Sequence, residues 1–251
     1  MNNLGNLYHD TQRLKESLAA YEEALVIYRT LAKNNSSKYQ SGLAITLVNS
    51  ANVYHDIQQL AESQTAYEEA LLIYRRLAKV NSVDYLPNVA VALNNLASLY
   101  RDTQRLKESE VAYREALAIR RRLAVANPAL YQPDVATTLN DLSTVYWETQ
   151  RLSEAEEAAR EALRVRRELA KNNPAAYDQY LAASLNKLAM FYGETGRLRE
   201  AEAAYEEALL IRRSLAKTNA TAYQPGVATT LNDLSTLYRK GQRLHEANTV
   251  G

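Results

Sequence analysis

Asparagine stands at 94, 140, 186 and 232, each 46 residues after the last. A primary amide carries one acceptor and two donors, so a row of them can pair with the main chain of an extended peptide, or bond across to neighbouring helices. Two more rows share the spacing: Asn6, Asn52, Ser98, Thr144, Met190 and Thr236, and then His9, His55, Arg101, Trp147, Gly193 and Arg239. Trp147 is the only tryptophan of the chain. Trp and Arg dominate binding energy at interfaces, so Trp147 between Arg101 and Met190 reads as a side-chain pocket; the alternative is an indole that covers a helix end. Lys187 and Arg101 offer cations to a partner's carboxylates, and Asp10, Asp56, Asp102, Glu148 and Glu194 add an acidic row.

Other chemistry is excluded. His9 and His55, beside Asp10 and Asp56, sit one repeat apart; like helices in stacked repeats lie about 10 Å apart, too far for one ion held at about 2 Å, so no metal is expected. There is no HExxH, no Gly-rich phosphate loop, no nucleophile elbow and no cysteine, so neither an enzyme nor a cofactor is expected. Arginines cluster at 75–76, 120–122, 164–167 and 212–213, but glutamates at 68–69, 115, 161 and 206–207 share their helices. That balance reads as a solvated face. With 30 Lys and Arg against 29 Asp and Glu, nothing draws the chain to nucleic acid. No apolar run approaches the ~20 residues of a membrane span; no membrane association and a cytoplasmic location are expected.

The elements that must position these residues follow the same period. Leu60, Ser63, Tyr67, Ala70, Leu71, Tyr74, Leu77 and Ala78 step by three and four, the mark of an apolar helix face; this is a second helix, B. Ala90, Leu93, Leu96, Ala97 and Tyr100 mark a first helix, A, of the next unit. A short joint, DTQRL or ETQRL in most copies, makes A and B antiparallel neighbours. Between B and the next A, stretches such as NSVDYLPN and NPALYQPD gather Asn, Pro and Ser and read as longer loops. Pro87, Pro133 and Pro225 would then open the A helices, and Tyr39, Tyr85, Tyr131, Tyr177 and Tyr223 would plug the gaps above the loops; contact with a ligand is the alternative. The spacing predicts a single array of A/B pairs at about 1–34, 41–80, 87–126, 133–172 and 179–218, with a partial pair over 225–251 whose B helix starts near Leu244. Neither end resembles a polar cap, the expectation for a segment of a larger protein or for ends that associate.

Leu4, Gly5 and Tyr8, then Ser17 and Tyr21, then Ala24 match the tetratricopeptide repeat pattern. The glycine position recurs as Ala51, Ala97, Ser143, Ala189 and Ser235, all small, and the B aromatic fails only at Ala159. The sequence departs from the family at the closing proline, replaced by Arg29, Arg75, Arg121, Arg167 and Arg213, and in its 46-residue period, against about 34. The longer form resembles the repeats of kinesin light chains and their bacterial relatives. That resemblance implies an all-α fold, an α-solenoid wound as a right-handed superhelix, with the A helices lining a concave groove. The three rows above, with Lys187 beside them, would point into it, so that Asn94, Ser98, Arg101, Asn140, Thr144, Trp147, Asn186, Lys187, Met190, Asn232 and Arg239 would contact a protein or peptide partner. A sensor or oligomerisation module of a larger signalling protein, and an array that self-associates end to end, are the alternatives.

Overall fold

The computed structural model describes residues 2–34 and 36–250, with side chains described at 3–33 and 38–242. Its described residues form helices α1 (Asn2–Asp10), α2 (Leu14–Asn34), α3 (Ser36–Asp56), α4 (Leu60–Val80), α5 (Ser82–Asp102), α6 (Leu106–Ala126), α7 (Pro128–Glu148), α8 (Leu152–Asn172), α9 (Pro174–Glu194), α10 (Leu198–Thr218) and α11 (Ala220–Val250). The chain divides into two compact units, Met1–Asn127 and Pro128–Gly251. Within each, every helix packs on the next in the chain. The odd-numbered helices are the A helices and the even-numbered ones the B helices.

Each A helix meets its B helix through small side chains. Ala51, Ala97 and Ala189 are fully buried, as are Ala70, Ala116, Ala162 and Ala208 on the B side. In the first unit the Ser17, Ser63 and Ser109 hydroxyls donate to the Gly5, Ala51 and Ala97 carbonyls at 2.8, 2.9 and 2.7 Å. Only small residues let two helix backbones come within reach of one serine. Larger apolar residues (Tyr67, Leu93, Leu96, Tyr113) close the core around these contacts.

The A-to-B joint is a three-residue turn with a residue at positive φ: Gln12, Gln58, Gln104 and Gln150 at 59° to 63°, and Gly196 at 80°. At the third joint the Gln104 N–H donates to the Arg101 carbonyl (2.8 Å) and the Arg105 N–H to the Tyr100 carbonyl (2.7 Å), the pairing of a Schellman turn. Thr103 adds its hydroxyl to the Leu99 carbonyl at 2.9 Å. Glutamine is a poor occupant of this left-handed position, where a Cβ crowds the carbonyl. Gln104→Gly is therefore expected to raise stability by up to about 1 kcal/mol, the left-handed penalty of a side chain less the entropy that glycine adds to the unfolded chain, read as a higher urea midpoint with unchanged helicity, whereas Gly196→Gln should lower it; a lower midpoint for Gln104→Gly would refute the account.

The B-to-A links differ from expectation. NSVDYLPN is no loop: α5 begins at Ser82, and one residue, Asn81, separates it from α4. Asn127, Asn173 and Asn219 occupy the same place. Asn81 is extended (φ −139°, ψ 91°), and its side chain accepts from the Asp84 N–H; Asn173 and Asn219 accept likewise from Ala176 and Ala222. The amide caps the next helix and so permits a sharp reversal. Pro87, Pro133 and Pro225 lie inside helices, whereas Pro128 and Pro174 are the residues that open them. Pro87 withholds a bond from the carbonyl of Val83, whose residue is 78% exposed, so water can take its place. The tyrosines assigned to the loops are half-buried on the opening turns of the A helices.

Two other expectations are corrected. The arginines at the B-helix ends are not one solvated stripe: Arg120 and Arg166 are each only 6% exposed. Arg166 Nη1 donates to Ser184 Oγ (2.6 Å) and the Tyr180 carbonyl (3.1 Å), and burial pushes its guanidinium pKa down. No final B helix starts near Leu244, because α11 continues through that point to Val250. The register puts Gly241 where Thr11, Ile57, Thr103, Thr149 and Thr195 stand, so the hydroxyl that helps close four of the five other turns is missing.

Candidate peptide-binding face

In each unit the A helices turn some side chains to solvent. Ile45, Val91 and Met190 are 43%, 41% and 41% exposed, and Asn49, Asn95 and Lys187 are half-buried beside them. Asn49, Asn95 and Lys187 repeat at 46-residue steps, as do Ile45 and Val91 four residues before the asparagines, whereas Met190 lies three residues after Lys187, in the row of Asn52 and Ser98. Of the expected residues, Lys187 and Met190 lie among these; the expected row of Asn94, Asn140 and Asn186 lies one residue before that of Asn95 and Lys187, and Ile45, Val91, Asn49 and Asn95 are not in the expected set. Counting three and four from the exposed aliphatics, opposite the buried Leu47–Ala51 edge, would have found them.

The asparagine row engages neighbouring helices. Asn94 Oδ1 accepts from Arg120 Nη1 at 2.7 Å. Asn186 Nδ2 donates to Asp233 Oδ2 at 3.2 Å, and its Oδ1 accepts from Thr230 Oγ1 at 3.3 Å. Burial pushes the Asp233 carboxyl pKa up, against Arg212 and the Asn186 amide, which pull it down. Asn232 is exposed. The fourth member, Asn140, gives its main-chain carbonyl to Lys187 Nζ at 2.9 Å.

A rung joins successive A helices inside each unit. Tyr21 donates its hydroxyl to Asn6 Oδ1, which also accepts from Asn49 Nδ2 at 3.2 Å. Tyr67 and Asn95 serve Asn52 in the same way. In the second unit three members change together. Ala159 replaces the tyrosine, Thr144 replaces the asparagine acceptor, and Lys187 replaces the donor, its Nζ 2.7 Å from Thr144 Oγ1. Nearby Trp147 stacks on Phe191, with centroids 4.5 Å apart and planes 11° from parallel. Thus the second unit brings together Asn140, Thr144 and Lys187, and sets Trp147 against the residue that follows Met190.

The remaining expected residues are distributed as follows. Ser98 and Arg101 are half-buried on α5 of the first unit, with Arg101 Nη2 3.3 Å from Asp102 Oδ1. Arg239, on α11, is exposed and donates to Thr236 Oγ1 at 3.3 Å. His9 and His55 are linkers: His9 Nε2 lies 2.7 Å from Asp56 Oδ2, and His55 Nε2 lies 2.9 Å from Asp102 Oδ2. No group of three or more potential ligands that could hold a metal ion exists among the described residues. Among them, too, no helix is long and apolar enough to cross a membrane.

Antiparallel helix pairs repeated at a fixed period, joined through small residues and single-residue links, define an α-helical solenoid repeat protein. One tetratricopeptide repeat model matches residues 42–122 and 88–168, and a second matches 1–36 and 181–219. The chain belongs to the tetratricopeptide repeat family. Its solved neighbours include BtubC (BKLC) from P. vanneervenii, with a TM-score of 0.71 at 21% identity over 94% of this chain and 87% of that one. A putative kinesin light chain from Podosopora anserina with nearly identical TPR-like repeats gives 0.65 at 18% identity, covering 87% of this chain and 94% of that one. The apo form of RapI gives 0.69 at 15% identity, covering 98% and 81%. These likenesses establish the fold, of the kinesin-light-chain type. No curated protein matches the sequence. Tetratricopeptide repeat proteins are in general protein-interaction scaffolds, and their fold is typically non-catalytic.

Proposed function

We propose that the chain is a protein-interaction scaffold whose A-helix face holds an extended peptide or a partner helix. The observation that carries this reading is the set of solvent-facing side chains itself: exposed aliphatic side chains at Ile45, Val91 and Met190 next to amide or ammonium donors at Asn49, Asn95 and Lys187. Apolar anchors beside main-chain-reading polar groups are what an extended partner requires. Each unit presents its own such face: Ile45, Asn49, Val91 and Asn95 with Asn94, Ser98 and Arg101 in the first, and Asn140, Thr144, Trp147, Asn186, Lys187, Met190, Asn232 and Arg239 in the second. Asn94 and Asn186 act from behind by fixing the helices, and Met190, Asn232 and Arg239 meet the partner directly.

The test is capture from source lysate by the wild type and by a variant carrying Val91→Glu, Met190→Glu and Arg239→Glu. All three positions are exposed or half-exposed in the fold, and Asn94 and Asn186 are left intact because their amides hold helix to helix. A partner retained by the wild type and reduced at least ~10-fold by the variant, with helicity unchanged, is expected, since charge at an apolar anchor costs more than about 1.4 kcal/mol. Equal capture by both proteins would remove the A face from consideration.

A further inference from the structure

The B helices of the first unit enclose a second surface. A groove of about 530 Å³ lies between α2 and α4, and another of about 630 Å³ lies between α4 and α6. Both are lined by the same positions one repeat apart: Leu25 and Leu71 on one wall, Ala66 and Ala112 on the other, Leu47 and Leu93 on the floor. Matching bonds close their ends. Arg29 pairs with Glu69 and Arg75 with Glu115, each at 2.7 Å; at the other end the Tyr54 hydroxyl donates to Glu22 (3.0 Å) and the Tyr100 hydroxyl to Glu68 (3.2 Å).

Apolar side chains stand unused on the rims: Val26 is 68% exposed, Leu72 55% and Val111 67%. The charge beside them is unbalanced. Glu22, Glu62 and Glu69 face Arg29 alone in the first groove; in the second, Glu115 pairs with Arg75 and Glu108 with Arg105, so the excess of carboxylates lies in the first. The scaffold does not demand this. At the corresponding positions of α8 and α10 the second unit carries Arg160 for Glu68, Arg164 for Leu72 and Ala203 for Val111. The apolar, acidic character belongs to the first unit.

We propose that the two grooves together dock an amphipathic helix of a partner protein, apolar on one face and rich in lysine or arginine beside it. Like walls of the two grooves are separated by one repeat, about 10 Å between neighbouring helices. Side chains about seven residues apart on a helix share a face and are separated by ~10.5 Å, so one such helix fills both grooves at once. An extended strand that spans the same distance in about three residues turns those side chains to opposite faces. The basic flanks answer the excess of carboxylates, which also steer the approach. This surface lies on the B helices, so its test is independent of the A-face reading.

The probe is a fluorescein-labelled synthetic helix with leucines along one face and lysines elsewhere, titrated against the whole chain and followed by anisotropy. Saturable binding is expected, weakened at least ~10-fold by the pair Leu72→Ser and Val111→Ser, whose exposed side chains the fold does not need. Leu210→Ser, the equivalent of Leu72 in the second unit and 69% exposed, should leave binding unchanged, and a probe with glutamates for lysines should not bind. The proposal is overturned by any of four results: no binding by the wild type, equal binding by the double variant, an equal loss with Leu210→Ser, or equal binding of the acidic probe. Sedimentation adds one more arm: a wild-type dimer that the double variant dissolves would make a second copy of this chain the occupant, and would sink the partner-helix proposal.

Discussion

Tyr67→Ala is expected to destabilise the protein by about 3–5 kcal/mol, the range for removing a buried aromatic ring. Tyr67 is only 4% exposed, and its hydroxyl reaches Asn52 Oδ1 on the preceding helix, where Asn95 also donates. Alanine would leave both a cavity and an amide oxygen with one donor fewer. Tyr67→Phe keeps the ring and is expected to cost only about 1 kcal/mol. The chain contains its own comparison at Ala159, which occupies the same register and is 1% exposed. There the surroundings have changed as well: Phe191 stands where other copies have Val53, Leu99 and Val145, stacked on Trp147, and Lys187 and Thr144 replace the amide pair. Tyr67→Ala supplies none of those changes. Urea unfolding followed by helicity measures the loss, and a cost for Tyr67→Ala no greater than that for Tyr67→Phe would show that the ring is not what holds the pair together.

High pH is expected to unfold the protein between about pH 10 and pH 12. Tyr54, Tyr74 and Tyr205 are each pushed up to about 12, in every case chiefly by burial. The hydrogen bond to the Glu22 carboxylate adds to the shift of Tyr54, Asp233 and Glu194 add to that of Tyr205, and the Asn88 amide partly offsets that of Tyr74. In the unfolded chain a phenol ionises near ~10. The folded state therefore holds these protons more tightly than the unfolded one, and the stabilisation is fully present below about pH 10 and is lost as pH rises through the folded value. Absorbance at alkaline pH should show a first group of exposed tyrosines that ionises without structural change, then a second group that ionises together with the loss of helicity. Tyr74→Phe, which cannot ionise, should move that second step upward. Ionisation of all tyrosines near pH 10 with helicity intact at pH 12 would contradict the burial of these rings.

Much of this fold is legible in the sequence because a repeat places the same side chain in the same environment again and again. The helices and the small residues where they touch follow from periodicity within about 20 residues, and the 46-residue step and the pairing follow from the recurrence of those stretches along the chain. Composition misled at the links: Asn, Pro and Ser suggested loops at 81–88, yet one asparagine makes the whole turn, because packing against the preceding B helix outweighs weak local propensity. Composition misled again at the arginines, since Arg166 and Arg212 stand where Tyr28 and Tyr74 stand in earlier repeats. No rule of residue type says that a guanidinium will be buried there. What buries it is a pair of acceptors 14 and 18 residues further on, Tyr180 and Ser184 for Arg166.

By itself the sequence determined the family, the helical solenoid and the apolar face of every helix, because those depend on order along a single helix. The tertiary structure alone decided which residues meet solvent between helices. Asn186 looked outward by its register, but Asp233 and Thr230 lie 47 and 44 residues away on the next A helix and occupy its amide. The grooves beside Leu72 and Val111 exist because two B helices 46 residues apart stand side by side with an A helix below them. Which side chains such a gap exposes is set by the distance and angle between helices, and those are properties of packing that no single stretch of the chain contains.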